Sequence, residues 1–468
     1  MSDRETKRVA MFITTVAAFL TPFDASAVNI ALPTISQDLS MSAIQLSWVS
    51  TAYILASAIF LVPFGRIADI IGRKRVFTYG IGLFALASLA VSFSTSPQML
   101  IFLRVIQGIG GAMATATLVA ILASSFPLGE RGKVLGINSA AIYVGLTVGP
   151  FLGGLMTQYF GWRSIFLVNV PLGIIVIILI LWKLKFEWHE AEGERFDVAG
   201  SVIYGLTLVS IIYGVTILPT ALGLVFTIGG GVGLLVFIWY EGRLQSPVLD
   251  LKLFRNNRIF TFSNMAALIN YMSVAAVGFL LSLFLQYIDG LTPQIAGLIL
   301  LCQPIVQAVL SPIAGRLSDR LEPRVISSTG MAVTATSLFL LSLIGPETST
   351  LMIVANLSLL GIGLALFVAP NTNAIMGSVP RRSLGVASGT LGTMRQVGQT
   401  LGMGITIMTF ALVIGGTQIT PDLHGAFLLS VKLLFGAFAV LSVSAIFLSL
   451  ARGRMRGSPN GSDSGGQN

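Results

Sequence analysis

Asp24 is the only carboxylate well inside any of the long apolar runs of this 468-residue chain. Placing an ionised group at that depth costs at least about 2.5–3.5 kcal/mol, so the default reading is functional: a side chain that binds and releases a proton. The competing reading is a structural, hydrogen-bonded Asp in an irregular helix, since Pro22, Asn29 and Pro33 surround it. Arg104 is a buried cation on a glycine-faced segment that also holds Gln107. It is expected either to bond backbone carbonyls or to partner Asp24. A nearby guanidinium favours the ionised carboxylate and desolvation the protonated one, so passage between the two environments would load and release a proton. Arg395, beside Gln396 and Gln399, could meet an anionic or carbonyl-bearing substrate, whereas Lys432 could snorkel. Gln286, Gln303, Asn371 and Asn373 are cavity candidates because amides are costly against lipid. Trp48, Tyr53, Tyr271, Met272 and Phe279 are expected to line a cavity or to sit in the core or against lipid.

The elements that must position these groups are membrane helices. The chain is 54% hydrophobic and only 10% charged, where a globular chain has roughly a quarter charged residues. We place fourteen apolar segments, each near the roughly 20 residues that cross a hydrocarbon core. The first, Val9 to Ile35, is too long for a signal peptide's apolar region, which runs about 7–15 residues, and is expected to span. With the N-terminus taken as cytoplasmic, 24 of the 28 Lys and Arg residues fall on the cytoplasmic side; Arg163 alone falls opposite. That bias predicts a multi-pass protein with both termini cytoplasmic, and it answers the net charge of +9 without nucleic acid. One cysteine and two histidines leave no disulfide and no obvious metal set.

The two halves repeat. Gly65-Arg66-Ile67-Ala68-Asp69 matches Gly315-Arg316-Leu317-Ser318-Asp319, and Gly145, Thr147 and Gly149 match Gly398, Thr400 and Gly402 at nearly the same offset. Two six-helix bundles with two inserted helices are therefore expected, with a binding region between the halves. The expected division is 1–183 for the first bundle, 184–245 for the linker and inserted helices, 246–452 for the second bundle, and 453–468 for a disordered polar tail. In the loop from Gly65 through Asp69 and Gly72 to Arg73, glycines allow a tight turn. Asp69 is expected to latch the cytoplasmic side by facing the N-terminus of a helix in the other half, near Ser383. Gly145, Gly149, Pro150, Gly153 and Gly154 permit close helix packing and a bend, serving as plain packing or as a seal between halves.

Four of these stretches together resemble the major facilitator superfamily. The 65–75 loop resembles its G-x-x-x-D-x-x-G-R-[RK] signature, and Arg104 to Ala112 its fourth-helix R-x-x-Q-G-x-G-A signature. Gly145 to Gly154 resembles the fifth-helix signature of its antiporters, and Asp24 to Pro33 the D-x-x-x-V-N-x-A-L-P stretch of its fourteen-helix drug/proton antiporter branch. The second-half loop departs from the pattern, with Glu322-Pro323-Arg324 in place of Gly and two basic residues, so the copy of the latch at Asp319 is incomplete. The resemblance implies an all-α major-facilitator fold and proton-coupled export of hydrophobic or amphipathic small molecules. It also implies a multidrug-efflux type of antiporter in the plasma (inner) membrane. Relatives specialised for multiply charged cations are similar to one another in having extra helix carboxylates, so a single Asp24 implies weak handling of dications.

Neither a nucleotide nor a catalytic cofactor is expected. Gly129-Glu130-Arg131-Gly132-Lys133 lacks the P-loop spacing and hydroxyl, and no G-x-S-x-G or H-E-x-x-H occurs, so the chain does not read as an enzyme. The driving force is expected to be the proton gradient. The expected partners are a small-molecule substrate, protons and lipids, with the chain a monomer that could need an accessory envelope protein. The alternatives are an exporter of one endogenous metabolite, siderophore or lipid-like molecule, and, further off, a non-transporting membrane sensor.

Overall fold

The computed structural model describes residues 3–126, 128–184, 187, 196–244, 251–380 and 384–453. Fourteen helices among them are long and apolar enough to cross a membrane. The first half comprises α1 (Asp3–Leu39), α2 (Ala43–Ile71), α3 (Arg73–Ser92), α4 (Pro97–Ser125), α5 (Leu128–Phe160) and α6 (Arg163–Lys183). A hairpin follows, α7 (Val198–Thr216) and α8 (Ala221–Glu241), and then a short α9 (Leu251–Asn256) within what reads from sequence as a plain connection. The second half comprises α10 (Arg258–Val274), α11 (Val277–Leu283) running into a π-helical turn (Phe284–Ile288), α12 (Pro293–Leu300), α13 (Cys302–Arg320), α14 (Pro323–Leu341), α15 (Thr350–Gly377), α16 (Leu384–Val413) and α17 (His424–Ala451). Two pairs of these, α10 with α11 and α12 with α13, are continuous spans, so the half holds six crossings.

Local chemistry starts the helices where the sequence supplies caps. Ser42 and Gln45 close a reciprocal capping box on α2. Ser96, Thr220, Thr292 and Ser349 accept from the first turns of α4, α8, α12 and α15, with Pro at the start of α4 and α12. Gly72, between α2 and α3, takes φ 120°, a backbone region open to glycine and strained for other residues.

Within the first half α1 packs along α5, and α3 and α2 against α4; within the second, α14 and α13 pack on α15 and α10 on α16. Between the halves α5 meets α12, α2 meets α16, and α1 meets α11; the α7–α8 hairpin rests on α16 and α2. The fifth-helix glycines set two of these approaches. A Cβ at Gly145 or Gly153 would drive into the backbone of α1 at Phe19 or Ala27, so these two form a stripe against α1. Gly154 instead faces the other half, where a side chain would collide with the Pro293 carbonyl, and Gly297 of α12 sits against the Pro150 carbonyl in return. Only residues without a side chain let α5 and α12 approach this closely.

Candidate functional site

Asp24 is fully buried near the middle of α1, a helix that packs on α5, α6, α4 and α2 within its half. Its carboxylate accepts from three side chains: Arg104 Nη1 at 2.6 Å, Asn169 Nδ2 at 2.8 Å and Gln107 Nε2 at 3.0 Å. Three donors and no acceptor around one carboxyl is the hydrogen-bonding pattern of the ionised form. Arg104 is itself 1% exposed. Its Nε donates to the Val49 carbonyl at 3.1 Å, Nη1 also donates to Gln107 Oε1 at 2.6 Å, and the guanidinium stacks over the Tyr53 ring, 4.4 Å from its centroid. Gln107 donates onward to Ser88 Oγ at 2.8 Å. The pair, two amides, a hydroxyl and an aromatic face thus form one closed network inside the first half.

Glycines on α4 make room for it. A Cβ at Gly108 would strike the Tyr53 carbonyl of α2, and one at Gly111 the Tyr53 hydroxyl, so α2 lies close enough for Tyr53 to cover Arg104. Tyr53, a cavity candidate by sequence, is a buried wall of this network.

Asn29, five residues along α1, faces the other half. Its side-chain Oδ1 accepts from Ser50 Oγ of α2 at 3.0 Å, and its main-chain carbonyl accepts from Ser282 Oγ of α11 at 2.7 Å. Pro33 has no N–H and cannot make the helical bond to that carbonyl, so Ser282 replaces a donor that the sequence removed. Gln286, in the π-helical turn, donates to the Ile30 carbonyl at 3.0 Å and to Ser282 Oγ at 3.0 Å. Ala43 N donates to the Thr417 carbonyl at 2.9 Å near the same end. These bonds seal the halves toward the face opposite the termini. A polar cavity of about 260 Å³ lies just outside the seal, among Ser36, Gln37, Gln286, Tyr287, Gln418 and His424.

On the termini face, Asp69 bonds Arg73, with Nε at 2.8 Å and Nη2 at 2.7 Å from Oδ1. Arg73 continues to Ser124 of α4. Asp69 therefore sits in a contact within its own half; Ser383, its expected counterpart, and the side chain of Asp319 lie outside the described residues. Glu187 accepts from Lys74 N at 2.7 Å, a carboxylate at the positive end of α3, and its side chain occupies the space beside Gly72. Among the other candidates, Gln303 bonds Gln307 on its own helix. Asn371 donates to the Ser263 carbonyl and accepts from the fully buried Arg452, a clasp inside the second half. Burial pulls the Arg452 guanidinium down to about 10. Arg395 and Gln396 lie half-buried on α16.

Sequence reasoning overlooked Asn169 and Ser282. Asn169 was open to the same rule that picked out Gln286, an amide in an apolar run. Ser282 had no such signal, because a serine in a membrane helix ordinarily bonds back to its own backbone.

A duplicated helical bundle with a buried, paired acid and a seal between its halves is the architecture of a secondary transporter. The chain belongs to the Major Facilitator Superfamily, whose family description matches residues 14–261 and 264–466. It is 31% identical over 409 residues to the riboflavin transporter RibZ of Clostridioides difficile, covering 86% of this chain and 88% of that one. It is 32% identical over 429 residues to the multidrug resistance protein Stp of Mycobacterium tuberculosis, covering 90% and 79%. Among solved structures, a bacterial homologue of the human lysosomal transporter Spinster, in an inward-facing and unoccupied conformation, superposes with a TM-score of 0.67 at 18% identity, over 96% of this chain and 97% of that one. The chain is thus a multi-pass membrane transporter rather than an enzyme.

Proposed function

We propose that this transporter exports hydrophobic or amphipathic small molecules in exchange for protons, by alternating access. The observation that supports it most is Asp24: the one acid at membrane depth, fully buried, held by Arg104, Gln107 and Asn169 on the helix that also makes the inter-half seal. In the sealed conformation Asp24 pairs with Arg104. When the seal opens, α1 parts from α11, and the carboxyl takes a proton from the opposite side. Return to the sealed state restores the Arg104 pair and expels the proton toward the termini face. A proton and a substrate that bind the two states unequally are what shift this equilibrium, and the gradient drives it with about 2.3 kcal/mol per charge per 100 mV. The basic residues of the termini face orient it to the cytoplasm, which makes the sealed face external, in a plasma membrane. The protein works without a cofactor and as a monomer; an accessory envelope protein would extend the path and not the coupling.

Export of a single metabolite is the second reading. The riboflavin transporter among the relatives favours it, since the same scaffold there has one named cargo.

The test is purified protein in liposomes with an imposed pH gradient, using ethidium and radiolabelled naphthaleneacetate as cargo probes. Gradient-driven movement of either in the wild type, abolished in Asp24→Asn, is the expected result. Equal gradient-driven movement by both proteins would remove Asp24 from coupling, and movement indifferent to the gradient would remove the antiport reading.

A further inference from the structure

Among the described residues, Arg395 is a cation within a membrane span that has no ion-pair partner. Arg395 lies on α16 between two glycines that fix its direction. Gly392 looks toward Leu61 of α2, in the other half, and Gly398 is pressed against the backbone of α10 at Leu268 and Met272. Arg395 therefore stands where α16 turns from its own half toward the opposite one. Tyr271 of α10 and, from the first half, Tyr143 of α5 are near enough to feel its charge, and Tyr143 also approaches Ser311 of α13. Two phenols and a guanidinium drawn from both halves thus lie near one another where the halves meet.

Among the described residues no carboxylate answers this cation. Every Asp and Glu of the membrane spans other than Asp24 lies at a helix end, and Asp24 is occupied by Arg104 inside the first half. Among the described residues Arg395 makes no ion pair and no hydrogen bond, while remaining half-buried. A cation at this depth is costly unless something compensates it, and such residues mark substrate pathways. Lys432, the other cation at depth without an acid, is on α17, which packs chiefly on helices of its own half. Arg395, by contrast, lies near residues of both halves.

We propose that Arg395 is the anion-recognising residue of the substrate site, with Tyr143 and Tyr271 as its aromatic walls, so that the preferred cargo is an aromatic small molecule bearing a carboxylate or a comparable anionic group. A guanidinium offers a planar fork of donors that a carboxylate matches with two parallel hydrogen bonds. The phenol faces take the ring. A cation entering the same space meets repulsion from Arg395 and finds no acid to offset it.

This rests on the reading of the chain as a small-molecule transporter, but its test needs neither a gradient nor Asp24. Binding of radiolabelled 1-naphthaleneacetate and of its uncharged amide is measured by scintillation proximity on the purified full chain in nanodiscs. The wild type is expected to bind the acid at least about tenfold more tightly than the amide. Arg395→Gln is expected to abolish that preference while retaining amide binding, Arg395→Lys to keep part of it, and Lys432→Gln to leave it intact. Equal affinity for acid and amide in the wild type, binding of neither, or a preference that survives Arg395→Gln would overturn the assignment. A preference lost equally in Lys432→Gln would also overturn it, since bulk charge would then be the cause. Acid preference without proton-driven movement would refute the antiport reading alone.

Discussion

Replacing Ser282 with alanine isolates the contact that Pro33 makes necessary. The Asn29 carbonyl has no N–H from Pro33 to bond and takes the Ser282 hydroxyl instead, at 2.7 Å. Removing that hydroxyl also deprives Gln286 of one acceptor in the same seal. A buried carbonyl left without its donor costs about 1–3 kcal/mol. Ser282 and α1 part when the halves open, so the cost falls on the sealed state and shifts the balance toward the open one by roughly 5- to 150-fold. Spin labels at Phe160 and Asp422, both exposed near the sealed end in opposite halves, report the distance between halves once the single Cys302 is replaced. Ser282→Ala should add a longer-distance population. Pro33→Ala provides the control, because it restores an N–H four residues from Asn29, and Ser282→Ala should then cost less than it does beside Pro33. A distance distribution unchanged by Ser282→Ala, or the same shift in both backgrounds, would refute the reasoning.

Other substitutions probe different joints of the structure. Gly72→Ala forces a side chain into a φ of 120° and against Glu187; the backbone strain alone should cost about 1–3 kcal/mol. Adding Glu187→Ala should recover only the steric part, as read by the thermal midpoint. Gly154→Val pushes α5 off the Pro293 carbonyl of α12 and should leave the sealed face leaky to protons, measured as decay of an imposed pH gradient in liposomes. Arg452→Ala empties a buried clasp to Ser263, Asn371 and Ser327. Hydrogen bonds from a charged group contribute about 1.5–3 kcal/mol, so a lowered thermal midpoint is expected with the acid-over-amide preference retained. Asn169→Ala removes one of three donors to Asp24 and should lower gradient-driven transport less than Asp24→Asn does.

The fold was legible because membrane physics leaves few options. Apolar length predicts the spans, and the repeat of the Gly65–Asp69 stretch at Gly315–Asp319 pairs the halves. Asp24 and Arg104 could be matched in advance because each was an unbalanced charge in an apolar run, and burial of one implies the other. What remained hidden was register between helices. Nothing in the sequence says that Gly145 and Gly153 face α1 while Gly154, one residue on, faces α12. Nothing in it assigns the Asn29 carbonyl to Ser282 among many membrane serines. At Asp69 the spacing of four from Arg73 already allows the local ion pair seen in the structure, whereas the expected latch toward Ser383 lies outside the described residues.

The central claim is that Asp24 gains and loses the transported proton. Infrared difference spectroscopy on the reconstituted protein, titrated from alkaline to acidic pH, sees a protonated carboxyl directly by its carbonyl stretch. The account predicts a band that grows with acidification in the wild type, is missing from Asp24→Asn, and is displaced along the pH axis when Arg104→Gln takes away the paired charge. An identical set of titrating carboxyl bands in the wild type and Asp24→Asn would contradict it.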